Sequence, residues 1–189
     1  MLFIYVNVYI DVVLGSIPIM PINVIYSHKI ANFKIIKADD GQAPWLLREA
    51  DVVIVGVSRT GKTPLCVVLS QMMGWKVGNV PLVLEVPPPA ELLDTANIDS
   101  RRVFCLTINP NQLKKIRQTR LEMRGVKEQE NRSDAMSQSN YADRNYLLKD
   151  LKKARELCQS QGWTEVDVTG RAVEETAAML SEIITNRFG

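Results

Sequence analysis

A short loop near residue 60 contains the residue types that bind phosphate groups. The stretch "GVSRTGKT", residues 56 to 63, matches the pattern G-x-x-x-x-G-K-[ST]. Its two glycines allow backbone angles and a close approach that a Cβ atom would block. Successive N–H groups of such a loop form an anion-binding nest, and the following helix adds the positive end of its dipole. We therefore predict that this loop binds the phosphates of a nucleotide.

Two residues at the end of the loop have predicted roles of their own. Lys62 should reach the outer phosphates as a point charge, and the Thr63 hydroxyl should be a ligand of Mg²⁺. The residues predicted to contact the nucleotide are Gly56, Val57, Ser58, Arg59, Thr60, Gly61, Lys62 and Thr63. A glycine turn without a ligand is the alternative. The context argues against it, because a buried strand precedes the loop and a helix follows it.

Phosphoryl transfer also needs a carboxylate near the acceptor and more positive charge. The acidic candidates are Asp39, Asp40, Glu85 and Asp167, and the basic candidates are Arg59, Arg117 and Arg120. Asp39 and Asp40 are adjacent and precede a glycine, which is more typical of a turn than of a catalytic pair. Arg117 and Arg120 are spaced i, i+3 and should share a helix face.

The loop belongs to a pattern in which strands alternate with helices. Residues 51 to 56, "DVVIVG", form a continuous apolar run, which is typical of a strand buried on both faces. Further strands are predicted at 33–37, 76–89, 102–110 and 164–169, and helices at 63–73, 111–125, 141–162 and 172–188. This alternation predicts an α/β domain of three layers with a mostly parallel sheet. Residues 126 to 140 are polar and are predicted to be a mobile loop. The inward face of the helix at 141–162 should carry Leu147, Leu148, Leu151, Ala154 and Cys158.

Composition limits the classes of partner and compartment. The chain has 189 residues, of which 46% are apolar, and a net charge of +2, so no nucleic-acid partner is expected. Basic residues concentrate between 101 and 132, either as a solvated helix face or as a phosphate-facing patch. The three cysteines are far apart in apolar segments, which predicts reduced thiols, a reducing compartment and no disulfide. With one histidine and no C-x-x-C motif, a zinc site is not supported.

The first 30 residues differ from the rest and are predicted to be a separate, atypical apolar segment, followed by one domain at 31–189. Residues 1 to 27 carry a single charge, Asp11, and lack the basic residues of a secretory signal or transit peptide. Two prolines and Asp11 interrupt the run, so buried strands or a truncated, atypical start are favoured over a membrane anchor.

Several stretches together resemble the regulatory proteins of pyruvate, phosphate dikinase and of phosphoenolpyruvate synthase. The similarity lies in "ADVVIVGVSRTGKTPL", "GWKVGNVPLV", "VFCLTINPNQLKKIRQTR", "NYAD" and "VDVTGRAVEETAA" and covers about residues 38 to 185. Pro-Leu directly after Gly-Lys-Thr makes this combination more specific than the loop alone. The resemblance implies a P-loop kinase-like fold and a bifunctional enzyme. One activity phosphorylates a threonine of the dikinase or synthase with ADP as donor, with Mg²⁺ expected. The other removes that phosphate with inorganic phosphate and releases pyrophosphate.

Carried over to this chain, the resemblance assigns the ADP loop to residues 56 to 63. It favours Asp39 or Asp40 as the group that positions the acceptor hydroxyl, and it favours Arg117 and Arg120 as residues that clamp phosphate. The implied partner is the dikinase or the synthase, and a homodimer is compatible with the resemblance. The implied location is the chloroplast stroma for a plant or algal protein and the cytoplasm for a bacterial one.

The sequence also departs from the family pattern. Cys66 stands where the family usually has serine, and residues 1 to 30 do not resemble the region that precedes the acidic turn in family members. Two alternatives therefore stay open. One is a small-molecule P-loop kinase that uses ATP, and the other is a nucleotide-binding module that binds ADP without catalysing transfer.

Overall fold

A computed structural model describes residues 44–125 and 143–189 of the chain. These residues form four strands, four α-helices and three short 3₁₀ helices. In chain order the elements are β1 (Val52–Gly56), α1 (Lys62–Met73), β2 (Val77–Pro81), β3 (Val103–Thr107), α2 (Pro110–Gly125), α3 (Arg144–Ser160), β4 (Thr164–Asp167) and α4 (Val173–Phe188). The 3₁₀ helices are Pro44–Glu49, Ala90–Leu93 and Ser100–Arg102.

The four strands form one parallel sheet in the order β2-β1-β3-β4. All five residues of β1 are buried, as the apolar run predicts. Because β1 pairs with β2 on one side and with β3 on the other, the sheet grows in one direction from β1 to β2 and in the opposite direction from β1 to β3 and β4. The predicted α/β class and parallel sheet are confirmed.

Helices cover both faces of the sheet. Val53 and Val55 of β1 pack in a core cluster with side chains of α2 and α3, whereas Val52 and Ile54 pack in a second cluster with side chains of α1 and α4. This follows from the two-residue period of a strand, which sends successive side chains to opposite faces. The described residues therefore form the three layers that the sequence predicts.

Local signals set the helix ends. Helix α1 lies between Gly61 and Gly74, which have φ of 84° and 69°, and the N–H of Gly74 donates to the Ser70 carbonyl at 3.0 Å. At the start of α3, the Asp143 carboxylate accepts from the backbone N–H groups of Asn145 and Tyr146 at 2.9 and 3.0 Å, a side-chain N-cap.

Two predicted elements differ in detail. Strand β2 ends at Pro81 and does not continue to the proline run, because residues 82–89 leave the sheet and form only an isolated bridge between Val83 and Val86. Leu148 is 41% exposed, so its predicted inward position is wrong. Neighbours on a helix point about 100° apart, and only Leu147 of this leucine pair faces the core.

The predicted absence of a disulfide is also wrong. Cys105 and Cys158 form a disulfide with a Cα–Cα distance of 6.3 Å, and Cys66 is a buried thiol that is not part of a disulfide. Cys105 points from β3 toward α3, and Cys158 lies on the inward face of that helix. The two are 53 residues apart in sequence, so their proximity depends on packing that spacing does not reveal. The inference of a reducing compartment loses its basis.

Several predictions fall on residues outside 44–125 and 143–189. They concern the apolar segment at 1–30, the strand at 33–37, the acidic turn with Asp39 and Asp40, and the loop at 126–140. Within the described part of the chain, no helix combines the length and apolar character needed to cross a membrane.

Candidate functional site

The glycine-bracketed loop, residues 56–63, leaves the carboxyl end of the central strand and enters the first turn of α1. In parallel α/β sheets, ligands bind beyond the carboxyl ends of the strands at the point where strand order reverses. That point lies here between β1 and β3. The fold thus places the loop where such sheets hold their ligands.

The loop backbone adopts conformations that most residues avoid. Gly56, Arg59 and Gly61 have φ of 149°, 74° and 84°. A Cβ atom on Gly56 would lie 2.9 Å from the carbonyl oxygen of Leu106, whereas one on Gly61 would have no atom within 4 Å. Gly56 is therefore required both by its backbone angle and by its contact with β3, and Gly61 by its angle alone.

Three consecutive carbonyls of the loop accept hydrogen bonds, two of them from residues outside the loop. The Gly56 carbonyl accepts from the N–H of Leu82 at 2.9 Å. The Val57 carbonyl accepts from the Thr60 hydroxyl at 3.0 Å and from Lys62 Nζ at 2.9 Å. The carbonyl of Ser58 accepts from Arg117 Nη2 at 3.3 Å.

These hydrogen bonds orient the peptide groups of the loop. In a trans peptide, the C=O and the following N–H point in opposite directions. Carbonyls held toward the protein therefore turn the N–H groups of Val57, Ser58 and Arg59 the other way. Such successive N–H groups, next to a helix N-terminus, suit the binding of an anion.

The two loop residues with predicted roles differ in exposure. Lys62 is only 7% exposed and lies in the first turn of α1, where it adds a positive charge to the helix N-terminus. Thr63 is exposed, and its hydroxyl oxygen accepts a hydrogen bond from Nδ2 of Asn79 at 3.0 Å. Asn79 is buried in the neighbouring strand β2, so the sheet fixes the position of the Thr63 side chain.

A buried ion pair lies behind the loop. Arg117 of α2 and Asp150 of α3 are 1% and 5% exposed, and Nη2 of the arginine is 2.7 Å from Oδ2 of the aspartate. Burial raises the pKa of the Asp150 carboxyl, although the hydrogen bond and charge of Arg117 and the charge of Lys62 oppose the shift. The same Nη2 atom donates to the Ser58 carbonyl, so the pair connects two helices with the loop.

The remaining candidates lie in other surroundings. Arg120 is exposed while Arg117 is buried, so the two arginines do not share an environment. Asp167 accepts from the N–H and hydroxyl of Thr169, and these bonds lower the pKa of its carboxyl. That geometry is a local turn at the end of β4.

Glu85 lies in the segment after β2 and accepts a hydrogen bond from the Tyr146 hydroxyl at 2.9 Å. Burial, together with this carboxylate, raises the pKa of Tyr146 to about 12. Sequence reasoning missed Tyr146, Asp150 and Asn79. The signals available were an isolated asparagine in an apolar strand and an aspartate on the apolar face of a helix.

Comparison with known proteins identifies the class of protein that this fold and loop define. A model of the kinase/pyrophosphorylase family matches residues 20–180, and the chain belongs to that family. A pyruvate, phosphate dikinase regulatory protein of Sorangium cellulosum is 44% identical over 153 residues, which are 80% of this chain and 50% of that protein. The chloroplastic regulatory protein of the same dikinase in Zea mays is 42% identical over 153 residues, or 80% of this chain and 33% of the maize protein.

A protein of Listeria monocytogenes with the same kind of name is 40% identical over 151 residues. The resemblance predicted from the sequence is confirmed. The chain spans about half the length of these bacterial relatives and about a third of the maize relative.

Proposed function

We propose that this chain regulates pyruvate, phosphate dikinase, or phosphoenolpyruvate synthase, by reversible phosphorylation of a threonine. In the forward reaction the threonine oxygen attacks the β-phosphorus of ADP, the bond to the bridging oxygen breaks, and AMP leaves. In the reverse reaction inorganic phosphate attacks the phosphothreonine, which yields threonine and pyrophosphate. The observation that carries the proposal is the loop at 56–63, whose carbonyls are held toward the protein at the carboxyl end of the central strand.

The charge of the loop supports the proposed binding of the ADP diphosphate. Positive potential is concentrated within a few residues of the chain. It comes from the oriented N–H groups of the loop, the N-terminus of α1 and the ammonium group of Lys62. When a phosphoryl group is transferred, negative charge shifts between its oxygens, and fixed positive groups stabilise that change. Lys62 now donates to the Val57 carbonyl, and we expect it to exchange this partner for a phosphate oxygen when ADP binds.

Mg²⁺ would be held through the Thr63 hydroxyl, which is exposed at the first turn of α1. Bound there, the cation would neutralise charge on the diphosphate. Asp39 or Asp40 is proposed to orient the acceptor hydroxyl. Arg59, whose φ of 74° places it at the turn of the loop, is proposed as an additional positive group.

Arg117 remains a candidate for charge stabilisation, but its position favours an indirect contribution. Its guanidinium group lies behind the loop, in contact with a carbonyl oxygen, and is almost fully buried. The proposed partner is the dikinase or synthase. The proposed location is the stroma for a chain of plant or algal origin and the cytoplasm for one of bacterial origin.

The proposal is tested with β-³²P-labelled ADP, this 189-residue chain and a dikinase loaded with phosphohistidine. We expect label on a dikinase threonine, dependence on the chain, and loss of label in Lys62→Met, which keeps the aliphatic stem in its buried position. Lys152→Met is the matched control, because Lys152 lies on the exposed surface of α3 with 78% of its side chain accessible.

The outcomes separate the alternatives. Binding of ADP without label would identify a nucleotide-binding module that does not catalyse transfer. Turnover of ATP on a metabolite, with no label from ADP, would identify a small-molecule kinase. If neither ADP nor ATP binds, the proposed role of the loop is wrong.

A further inference from the structure

The buried Arg117–Asp150 ion pair is an unusual feature of this core. Arg117 is the largest side chain among the fully buried ones in the described residues, and its partner is also in the core. Moving two charges out of water costs several kcal/mol each, and a well-packed apolar pair of similar volume is often as stable or more stable. Stability alone is therefore a poor reason for placing this pair beneath a loop.

The contacts of the pair indicate what else it does. Asp150 accepts from Nη2 of Arg117 at 2.7 Å, and the same nitrogen donates to the Ser58 carbonyl at 3.3 Å. The carboxylate thus fixes the direction in which this nitrogen presents its second hydrogen. Because the peptide group is planar, holding the Ser58 carbonyl toward the core turns the following N–H, that of Arg59, toward the opposite side.

We propose that Asp150 is a positioning residue that acts through Arg117 to hold the Ser58–Arg59 peptide in the orientation that binds phosphate. The inference rests on the proposed binding of ADP by the loop, and it adds a residue of α3 that lies 92 positions after Ser58 in the chain. Asp150 itself does not touch the ligand. Its effect reaches the nucleotide only through the conformation of the loop.

A positioning role and a structural role predict different results when both charges are removed together. In Arg117→Met/Asp150→Leu, apolar side chains fill the core without leaving an unpaired charge, so the variant should stay folded. If the pair only supported the core, affinity for ADP would be unchanged. If it positions the loop, the stable variant should bind ADP about 10- to 100-fold more weakly, the range expected for a hydrogen bond to a charged group.

The experiment measures the Kd for ADP by titration calorimetry and the unfolding transition by circular dichroism on the same samples. Asp150→Asn, which keeps the volume and removes the charge, gives a second reading with the same expected direction. The matched control is Arg155→Gln/Glu165→Gln, which removes an exposed ion pair between α3 and β4, with a distance of 3.1 Å between Nε and Oε2.

A cooperative unfolding transition together with weaker ADP binding, in the core variants and not in the control, would support the proposal. Core variants that are folded and bind ADP within about 2-fold of the original chain would overturn it, while the proposed function would stand. Failure of the unsubstituted chain to bind ADP would overturn both, and would be recognised as a failure of the proposed function.

Discussion

The two glycines that bracket the loop provide a test of the described geometry by one identical substitution at two places. Gly56→Ala places a Cβ atom 2.9 Å from the Leu106 carbonyl oxygen and 3.2 Å from the Thr60 hydroxyl, whereas Gly61→Ala places one in open space. Both positions have positive φ, so both alanines are strained by about 1–3 kcal/mol. Both substitutions also reduce the entropy of the unfolded chain by the same amount, which cancels in the comparison.

The difference between the two variants should therefore come from the contact with β3 and from the backbone angle of Gly56, whose φ of 149° lies further from the left-handed region than the 84° of Gly61. Forcing an extra carbon into a packed site typically costs about 1–3 kcal/mol, and the atom in the way here is backbone, which cannot rotate aside. We expect Gly56→Ala to lower the free energy of unfolding by about 1–3 kcal/mol more than Gly61→Ala does. Urea unfolding followed by circular dichroism, with m-values compared between the variants, measures this difference. Equal destabilisation by the two alanines would refute the close contact between the loop and β3.

Three further perturbations test other parts of the structure. Asn79→Ala removes the donor to the Thr63 hydroxyl. We expect the gain in ADP affinity on adding Mg²⁺ to fall by about 10-fold, as for other residues that orient metal ligands. Calorimetry with Mg²⁺ and with EDTA checks this, and an equal loss of ADP affinity under both conditions would contradict it. Cys158→Ser removes a disulfide between residues 53 positions apart and should lower the free energy of unfolding by about 4 kcal/mol in the chain-entropy model. Unfolding under oxidising and reducing conditions measures this loss of stability. An unfolding midpoint that does not change on reduction would refute the prediction. Tyr146 has a folded-state pKa of about 12 against an ordinary value of 10, so its contribution to stability is complete below pH 10 and is lost as the pH rises toward 12. The difference in ultraviolet titration between the chain and Tyr146→Phe should show that tyrosine ionising near pH 12, and ionisation near pH 10 would contradict its partial burial and its hydrogen bond to a carboxylate.

Local signals predicted the strands and helices well, because each signal depends on only a few neighbouring residues. The apolar run before the loop predicts β1, and the helix predicted at 63–73 agrees with α1 to within one residue. Leu148 shows the limit of this reasoning, since a leucine pair on a helix does not show which member faces the core. The disulfide shows it more clearly, because two cysteines in separate apolar segments give no sign that β3 and α3 will bring them together.

The site was predictable only as far as its residues are contiguous. Sequence placed the loop correctly at the end of a buried strand, but it predicted that Arg117 shares a helix face with Arg120 and did not predict the burial of Arg117. Its burial depends on Asp150, which is 33 residues further along, and a charge becomes tolerable in a core only when its partner is there. Asn79 was missed for a similar reason, because the role of a polar residue in a strand can be inferred only when the elements next to that strand are known.

The phosphate-binding pattern by itself does not account for the shape of the loop. Its four fixed residues supply the permissive glycines, the lysine and the hydroxyl, yet two of the three loop carbonyls accept hydrogen bonds from outside the pattern, from Leu82 and from Arg117. One donor comes from the chain leaving β2, and the other comes from a helix on one face of the sheet. A loop with the same residues in another fold would lack both of these donors, and its peptide groups would be free to rotate. The orientation of the N–H groups is thus a property of the sheet order and of the buried ion pair, and the substitution at Asp150 tests the second of these two supports.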